Sequence, residues 1–180
     1  SIDNLKIPSG SWASIFGVVH GNIYDLTIKN ASLTSTYNAP CAIVCAWAGN
    51  STGELHAEFK NVHVVGSKVE YTAALDAVVG GFVGNACNST FENCSFDGSV
   101  RRTAGSDKAL TSYIGTGGFA GRTLEKSKFK DCYTSGEVYN AKGRATGGLV
   151  GYYTVNAAEG DIEGCHTSAK VTSINDCTGG

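Results

Sequence analysis

The pattern that decides the fold begins with Gly80-Gly81-Phe82-Val83-Gly84 and continues, after a short spacer, with Phe91-Glu92-Asn93-Cys94-Ser95-Phe96-Asp97-Gly98-Ser99-Val100. The same two-part pattern returns twice, at Gly117–Gly121 with Phe129–Val138 and at Gly147–Gly151 with Ile162–Val171. A pattern that recurs in the same order indicates a repeat protein, in which each copy forms one unit and stacks on its neighbours.

Two weaker copies precede these three, one ending its first part at Gly17 and the other at Gly49. The corresponding glycines of the five copies, Gly17, Gly49, Gly84, Gly121 and Gly151, are separated by 32, 35, 37 and 30 residues. The final Thr178-Gly179-Gly180 resembles the start of another copy, and we expect no signal peptide at Ser1. We therefore expect one domain, 1–180, of about five coils of 30–37 residues, taken from a longer array.

The second part of the pattern contains a change of phase. From Cys94 to Val100 apolar or small residues alternate with polar ones, which is typical of a strand with one buried face. Phe91 has the opposite parity, so the period slips at Asn93. The equivalent residues of the other copies are Asp25, Asn61, Asp131 and Gly164, and these residue types tolerate a left-handed backbone. We predict a corner at this position.

Short strands with one such corner per repeat predict an all-β fold, a parallel β-helix or β-solenoid, in which equivalent side chains stack in ladders. The first predicted ladder contains Ile23, Phe59, Phe91, Phe129 and Ile162; the second contains Leu26, Val62, Cys94, Cys132 and Cys165; the third contains Ile28, Val64, Phe96, Thr134 and Thr167. The Gly-Gly-Phe-Val-Gly segment is predicted to be the other short strand of the coil, with glycines at its ends.

The spacers between the recurring parts of the repeat differ in length, and such insertions usually lie on one or two faces of a repeat protein. The longest are 69–79 and 101–116. We expect them to form the decorated side, with Asp76, Arg101, Arg102, Asp107 and Lys108 projecting from it.

Composition excludes two classes of partner. The net charge is −2, the pI is near 6.0 and only 17% of residues are charged. No basic patch is present, so we expect no nucleic-acid partner. No apolar run is long enough to cross a bilayer, so we expect no membrane insertion.

The seven cysteines form no CxxC pair, and we expect neither a metal nor a cofactor. Cys94, Cys132 and Cys165 are best explained as small apolar residues of one core ladder. We do not expect disulfides between them, because in-register parallel ladders rarely orient the side chains correctly. The others, Cys41, Cys45, Cys87 and Cys177, are predicted near coil edges.

Carboxylates are the main candidates for catalysis, because many parallel β-helices cleave polysaccharides with two or three acids on one face. The acids predicted to point outward are Glu58, Glu92, Asp97, Glu137 and Glu163. Lys60 and Lys130 alternate with Glu92 and Glu163, which favours a solvated ladder of opposite charges over an active site. We therefore assign no catalytic residue.

Tyr152 and Tyr153 are the candidate binding residues. They follow Gly151 directly, and two consecutive residues of a strand face opposite sides, so at least one ring should face outward. An exposed tyrosine on a rigid scaffold can stack on a sugar ring or contact a partner protein.

The pattern Gly-Gly-[Leu/Phe]-[Val/Ala]-Gly followed by [Phe/Ile]-x-[Asn/Asp/Gly]-Cys resembles the GLUG motif, over roughly 80–180. Families with this motif are secreted or surface-attached bacterial proteins. Some are adhesins, and some carry the motif beside a metallopeptidase that cuts immunoglobulin A. The resemblance implies an extracellular β-solenoid segment and supplies no catalytic residue.

Three functions therefore stay open. The leading hypothesis is a non-catalytic structural or adhesive segment of a bacterial surface or secreted protein, which binds a glycan, a host protein or other domains of the same chain through loops on one face. The second is a carbohydrate-active β-helix, a polysaccharide lyase or hydrolase or a phage tail-spike type. The third is an accessory domain of an immunoglobulin-degrading metallopeptidase.

Overall fold

The computed structural model describes the chain except for residues 51, 53, 106–113, 155–160, 175–176 and 180. The described part contains strands and turns and no helix. The strands are β1 Ile2–Asp3, β2 Lys6–Ile7, β3 Val18–Val19, β4 Asn22–Lys29, β5 Ser32–Ser35, β6 Cys45–Ala48, β7 Ala57–Tyr71, β8 Val79–Gly80, β9 Val83–Cys87, β10 Ser89–Glu92, β11 Ser95–Arg102, β12 Gly115–Gly117, β13 Ala120–Leu124, β14 Lys128–Lys130, β15 Tyr133–Asn140, β16 Ala145–Gly147, β17 Val150–Tyr153, β18 Asp161–Glu163, β19 His166–Thr167, β20 Lys170–Ser173 and β21 Thr178–Gly179.

These strands form three parallel sheets, and the later coils run through them in the order C, B, A. Sheet C has the order β21-β16-β12-β8, and sheet B has the order β17-β13-β9-β6-β3. Sheet A has the order β18-β14-β10-β7-β11-β15-β19, with β1, β2, β4, β5 and β20 attached to it. The five strands of sheet B come from five successive passes of the chain through this sheet. Together these passes make a solenoid of about four turns. The predicted all-β parallel solenoid is confirmed.

The predicted ladders are present in the core. Phe91 pairs in register with Phe59 on one side and Phe129 on the other, and both pairs of rings are stacked with centroids 4.9 Å apart. Phe82 and Phe119 form a second stacked column, at 4.4 Å, which meets the first edge to face. Because aromatic pairs favour both geometries, the interlocked columns hold successive coils together.

The predicted corner is also confirmed. Asp25, Asn61, Asn93, Asp131 and Gly164 have φ angles of 53°, 54°, 49°, 52° and 62°. The side chains continue the ladder outside the core, because Asn93 donates to Asn61 Oδ1 (2.8 Å) and Asn61 donates to Asp25 Oδ1 (2.9 Å). All five residues therefore supply the left-handed backbone, and Asn93, Asn61 and Asp25 also supply hydrogen bonds between coils.

The prediction for the Gly-Gly-Phe-Val-Gly segment was wrong. It is a bend between two sheets: Gly80 ends β8, Gly81 and Phe82 turn the chain, and Val83 begins β9. A Cβ on Gly81 would collide with the Gly118 carbonyl oxygen and the Phe96 ring. The glycines therefore allow close approach of backbones at the bend, where Phe82 is buried against Phe59 and Phe91.

The loops that were predicted to form the decorated side begin later in the sequence than expected. Strand β7 continues to Tyr71 and β11 to Arg102, because the two strands pair in register to their ends. Arg102 is fully buried instead of projecting, and the Asp76 side chain that it contacts is only 12% exposed. Arg101 is half-buried beside Glu137, at 3.5 Å. Asp107 and Lys108 lie outside the described residues.

Candidate functional site

Tyr152 and Tyr153 lie on β17, which is one of the two outermost strands of sheet B among the described residues. Tyr152 is in register with Arg122 and Tyr153 with Thr123, both on β13. Tyr152 is half-buried, and Tyr153 is 43% exposed. The structure thus places both predicted binding residues at one end of the stack, with different exposures.

The two tyrosines line a cleft of about 670 Å³. Residues 144–153 supply most of its lining, Ile162 and Thr167 contribute from sheet A, and Cys177, Thr178 and Gly179 complete it. The lining combines aliphatic side chains, threonines, the tyrosines and one cation, Arg144. Such a mixture of apolar surface with a few polar groups is typical of binding sites.

Tyr153 keeps its proton under physiological conditions. Partial burial and the nearby negative charge of Asp161 raise the pKa of its phenol above the usual value. The ring therefore offers an apolar face together with an O–H donor, which suits contact with a sugar or with peptide groups.

The outward acids form the predicted charged ladder and are dispersed along the solenoid. Lys60 Nζ lies 3.1 Å from Glu92 Oε1, and Lys130 and Glu163 follow in the same column. Glu58 accepts a hydrogen bond from Tyr24 at 2.8 Å. Each of these contacts joins neighbouring coils, as expected for cross-strand pairs on a solvated face.

Asp97 and Glu137 are engaged in the same way. Asp97 accepts hydrogen bonds from the Ser135 hydroxyl and, at 3.3 Å, from the Gly66 amide. Glu137 pairs with Arg101, whose guanidinium lies 4.6 Å from the centre of the Tyr139 ring. These acids therefore bridge neighbouring strands, a role that needs no substrate.

The central cysteines form a thiol column inside the core. Cys94 and Cys132 are buried, Cys165 is half-buried, and all seven cysteines are free thiols. The hydrogen bond from Cys132 lowers the pKa of Cys94. The hydrogen bond from Cys165 lowers the pKa of Cys132. The hydrogen bond between Cys132 and Cys94 and the burial of Cys132 raise it, and the net result is a pKa of about 12. The interpretation of this column as core packing fits its burial.

The other four cysteines, which were predicted near coil edges, differ in their exposure. Cys41, Cys45 and Cys87 are buried completely, and only Cys177 is exposed. Burial raises the pKa of the Cys41 thiol to about 12, although Ser35 and Arg102 act in the opposite direction. A buried thiol of this kind is poorly reactive, because the thiolate is the reactive form.

Sequence reasoning missed a buried polar column that runs beside the loops. Ser35, Tyr71, Arg102, Asn140 and Ser173 follow one another in register. The Asn140 amide donates to Thr146 Oγ1 at 2.8 Å, and Thr146 Oγ1 lies 3.2 Å from Ser173 Oγ. The alternation of the strands could have shown this column, because its residues occupy the positions that face inward. The charge of Arg102 instead led to the prediction that its side chain is exposed.

Arg102 is the centre of that column. Its guanidinium pairs with Asp76 and donates to the carbonyl oxygens of Ala77 (3.0 Å) and Ala104 (3.3 Å), and it lies 5.3 Å from the centre of the Tyr71 ring. Burial lowers the pKa of Arg102, and Asp76 opposes that effect. Arg102 thereby ties the segment 72–78 and the start of the segment after β11 to the solenoid.

The described part of the chain lacks two further features. No group of three or more His, Cys, Asp or Glu side chains there is arranged to hold a metal ion. No helix there is long and apolar enough to cross a bilayer.

Comparison with known proteins agrees with this geometry. The model of the GLUG motif matches residues 77–101, which contain β8, β9, β10 and most of β11. A crystal structure of a "putative immunoglobulin A1 protease" from Bacteroides ovatus superposes with a TM-score of 0.64 at 21% identity, and the match covers 96% of this chain and 59% of that chain. The likeness shows the fold. No curated protein matches.

The register of the strands, the left-handed corners and the matched motif lead to one conclusion. The chain is a parallel β-solenoid that carries the GLUG motif.

Proposed function

We propose that this chain is a non-catalytic structural and adhesive segment of a bacterial surface or secreted protein. The observation that supports the proposal most strongly is the tyrosine cleft at the end of a densely packed stack. Ladders that run through successive coils give a stiff body, and a stiff body can hold a binding surface away from the rest of its protein.

The binding surface in this proposal consists of Tyr152, Tyr153 and the segments beside Arg102. Its ligand is a glycan, a host protein or a neighbouring domain. The extracellular location is inferred from the GLUG motif and from the likeness to the Bacteroides ovatus protein.

A direct test is binding to an array of glycans and host surface proteins. We expect the double variant Tyr152→Ala, Tyr153→Ala to lose at least tenfold in affinity for any ligand found. Tyr24→Ala is the matched control, because Tyr24 is an exposed tyrosine of β4 in sheet A, whereas the cleft is at β17. Equal loss in both variants would remove the cleft from the proposal.

The carbohydrate-active alternative is tested on the same ligands. A reducing-end assay after prolonged incubation should show no new ends if the chain only binds. If new ends do appear, and if Glu92→Gln or Asp97→Asn removes them, the chain is an enzyme and the non-catalytic proposal is wrong.

A further inference from the structure

The thiol column of Cys94, Cys132 and Cys165 places three potential metal ligands in a line. Strand register holds Cys132 and Cys165 level with each other, because β14 pairs with β18 just before them and β15 pairs with β19 just after them. Cys94 occupies the same position one coil earlier, where β10 pairs with β14 and β11 with β15. The three sulfur atoms therefore follow one another along the stack, one coil step apart.

The coil step decides which chemistry two neighbouring thiols can share. Parallel strands are about 4.8 Å apart, and the thiols are in hydrogen-bonding contact, Cys94 with Cys132 and Cys132 with Cys165. A disulfide needs sulfur atoms about 2.05 Å apart and Cβ atoms about 3.5–4.5 Å apart, which is closer than the coil step. Two metal–thiolate bonds of about 2.3 Å in line span about 4.6 Å, which matches the coil step.

The linear arrangement also selects the kind of ion. Tetrahedral zinc needs four ligands around one point, and no group of three or more His, Cys, Asp or Glu side chains in the described part of the chain is arranged to hold an ion. Sulfur atoms in a line offer two ligands to an ion that lies between them. Among biological metals, soft thiolate ligands favour Cu(I), which accepts two ligands in line.

The interval between Cys132 and Cys165 is better prepared for an ion than the interval between Cys94 and Cys132. The backbone N–H of Cys132 donates to Cys165 Sγ at 3.3 Å. A hydrogen bond of this kind stabilises the charge of a thiolate and fixes the orientation of a ligand. Cys165 is half-buried, so an ion can reach this interval, whereas Cys94 is 1% exposed and Cys132 is fully buried.

We propose that Cys132 and Cys165 form a two-coordinate site for one Cu(I) ion. On binding, each thiol releases its proton to water and each sulfur forms one bond to copper, while copper remains Cu(I). The absence of a CxxC pair does not oppose such a site, because its ligands come from successive coils. Neither cysteine lines the tyrosine cleft. The site is therefore separate from the proposed adhesive surface, and it would link the coil of β15 to the coil of β19.

The test measures Cu(I) binding without oxygen, by competition with the chromogenic chelator bicinchoninate. The parent protein is the full chain with Cys177→Ser, because Cys177 is an exposed cysteine. We expect one Cu(I) per chain, and a loss of at least about a hundredfold in affinity in Cys132→Val and in Cys165→Val. X-ray absorption of the copper-loaded parent should show two sulfur neighbours for each copper and no nitrogen neighbour.

Cys45→Val is the matched control. Cys45 is a fully buried thiol of sheet B, and Val83 follows it in register. Val62 likewise precedes the thiol column in its ladder, because the residues beside it pair with those beside Cys94. Cys45→Val and Cys132→Val therefore both place valine in a column that already contains valine, and both should fold. The affinity of Cys45→Val for Cu(I) should equal that of the parent protein.

The proposal is wrong if the parent protein binds no Cu(I), if Cys45→Val loses as much affinity as Cys132→Val, or if copper has three or more ligands. A Cys132–Cys165 disulfide in protein purified in air, detected by mass spectrometry as the loss of two hydrogens, would also overturn it. Such a bond would show that the coils approach more closely than the strand spacing. If circular dichroism shows that Cys132→Val is unfolded, Cys165→Val and the absorption spectrum of the parent protein decide the outcome.

Discussion

At the scale of single residues, the largest difference from the sequence-based expectation is Arg102. Its charge predicted exposure, but its inward parity on β11 and its pairing with Tyr71 and Asn140 place it inside. The partner Asp76 comes from the preceding coil, so the ion pair depends on how two coils stack. Only the three-dimensional register brings the two charges together, and no local pattern reports it.

Arg102→Met should lower the free energy of unfolding by about 3–5 kcal/mol, because Asp76 is left buried without its partner. Arg101→Met is the matched control and should cost about 0–1 kcal/mol, because more than a third of each side chain in its ion pair with Glu137 is open to solvent. Urea unfolding followed by circular dichroism gives both values. Similar losses of stability in the two variants would contradict the role of the buried ion pair between Arg102 and Asp76.

A second residue-scale prediction concerns the corner at Asn93. Asn93→Ala should cost about 1–2 kcal/mol, because alanine pays a steric penalty at φ 49° and cannot donate to Asn61. Asn93→Gly should stay within about 0.5 kcal/mol of the parent protein, because glycine accepts this conformation at an exposed site. Equal unfolding midpoints for the two variants would show that the left-handed corner is unimportant for stability.

At the scale of elements, the three ladders and the corners could be predicted from the sequence. The alternation of apolar and polar side chains shows which residues of a strand face inward. Phe91, Cys94 and Phe96 mark which residues face inward, and Asn93 marks where the parity changes. The Gly80–Gly84 segment could not be interpreted in this way, because glycine has no side chain and is equally compatible with a strand or a bend. The two candidate tyrosines could be identified because they directly follow Gly151 in the sequence. The cleft around them could not be predicted, because residues of sheets A and C also line it.

The bend gives the prediction at this scale. Gly81→Ala should lower the free energy of unfolding by about 1–3 kcal/mol or more, because its Cβ has no space between Gly118 and Phe96. In Gly10→Ala the new Cβ meets nothing within 4 Å, and stability should be unchanged or rise by up to about 1 kcal/mol. Thermal unfolding of the pair measures the difference, and a Gly81→Ala protein as stable as Gly10→Ala would contradict the bend.

At the scale of the whole molecule, the buried thiols make stability depend on alkaline pH. Cys41 and Cys132 have pKa values of about 12, above the usual 9.0, so the unfolded chain loses these protons first. Their contribution is complete below about pH 9 and is lost as the pH rises toward 12. Urea midpoints should therefore fall between about pH 9 and 11. Cys41→Val, which cannot ionise, should show a shallower fall; an identical fall would contradict the role of Cys41.

The central claim is that successive coils stack in register along one axis. Spin labels at Tyr24→Cys and Glu163→Cys, in a chain whose Cys165 and Cys177 are replaced by serine, test it most directly. These positions belong to the same outward column, four coil steps apart. The distance measured by pulsed electron paramagnetic resonance should centre near about 19 Å, since parallel strands are about 4.8 Å apart. A narrow distribution beyond about 30 Å would contradict the in-register solenoid.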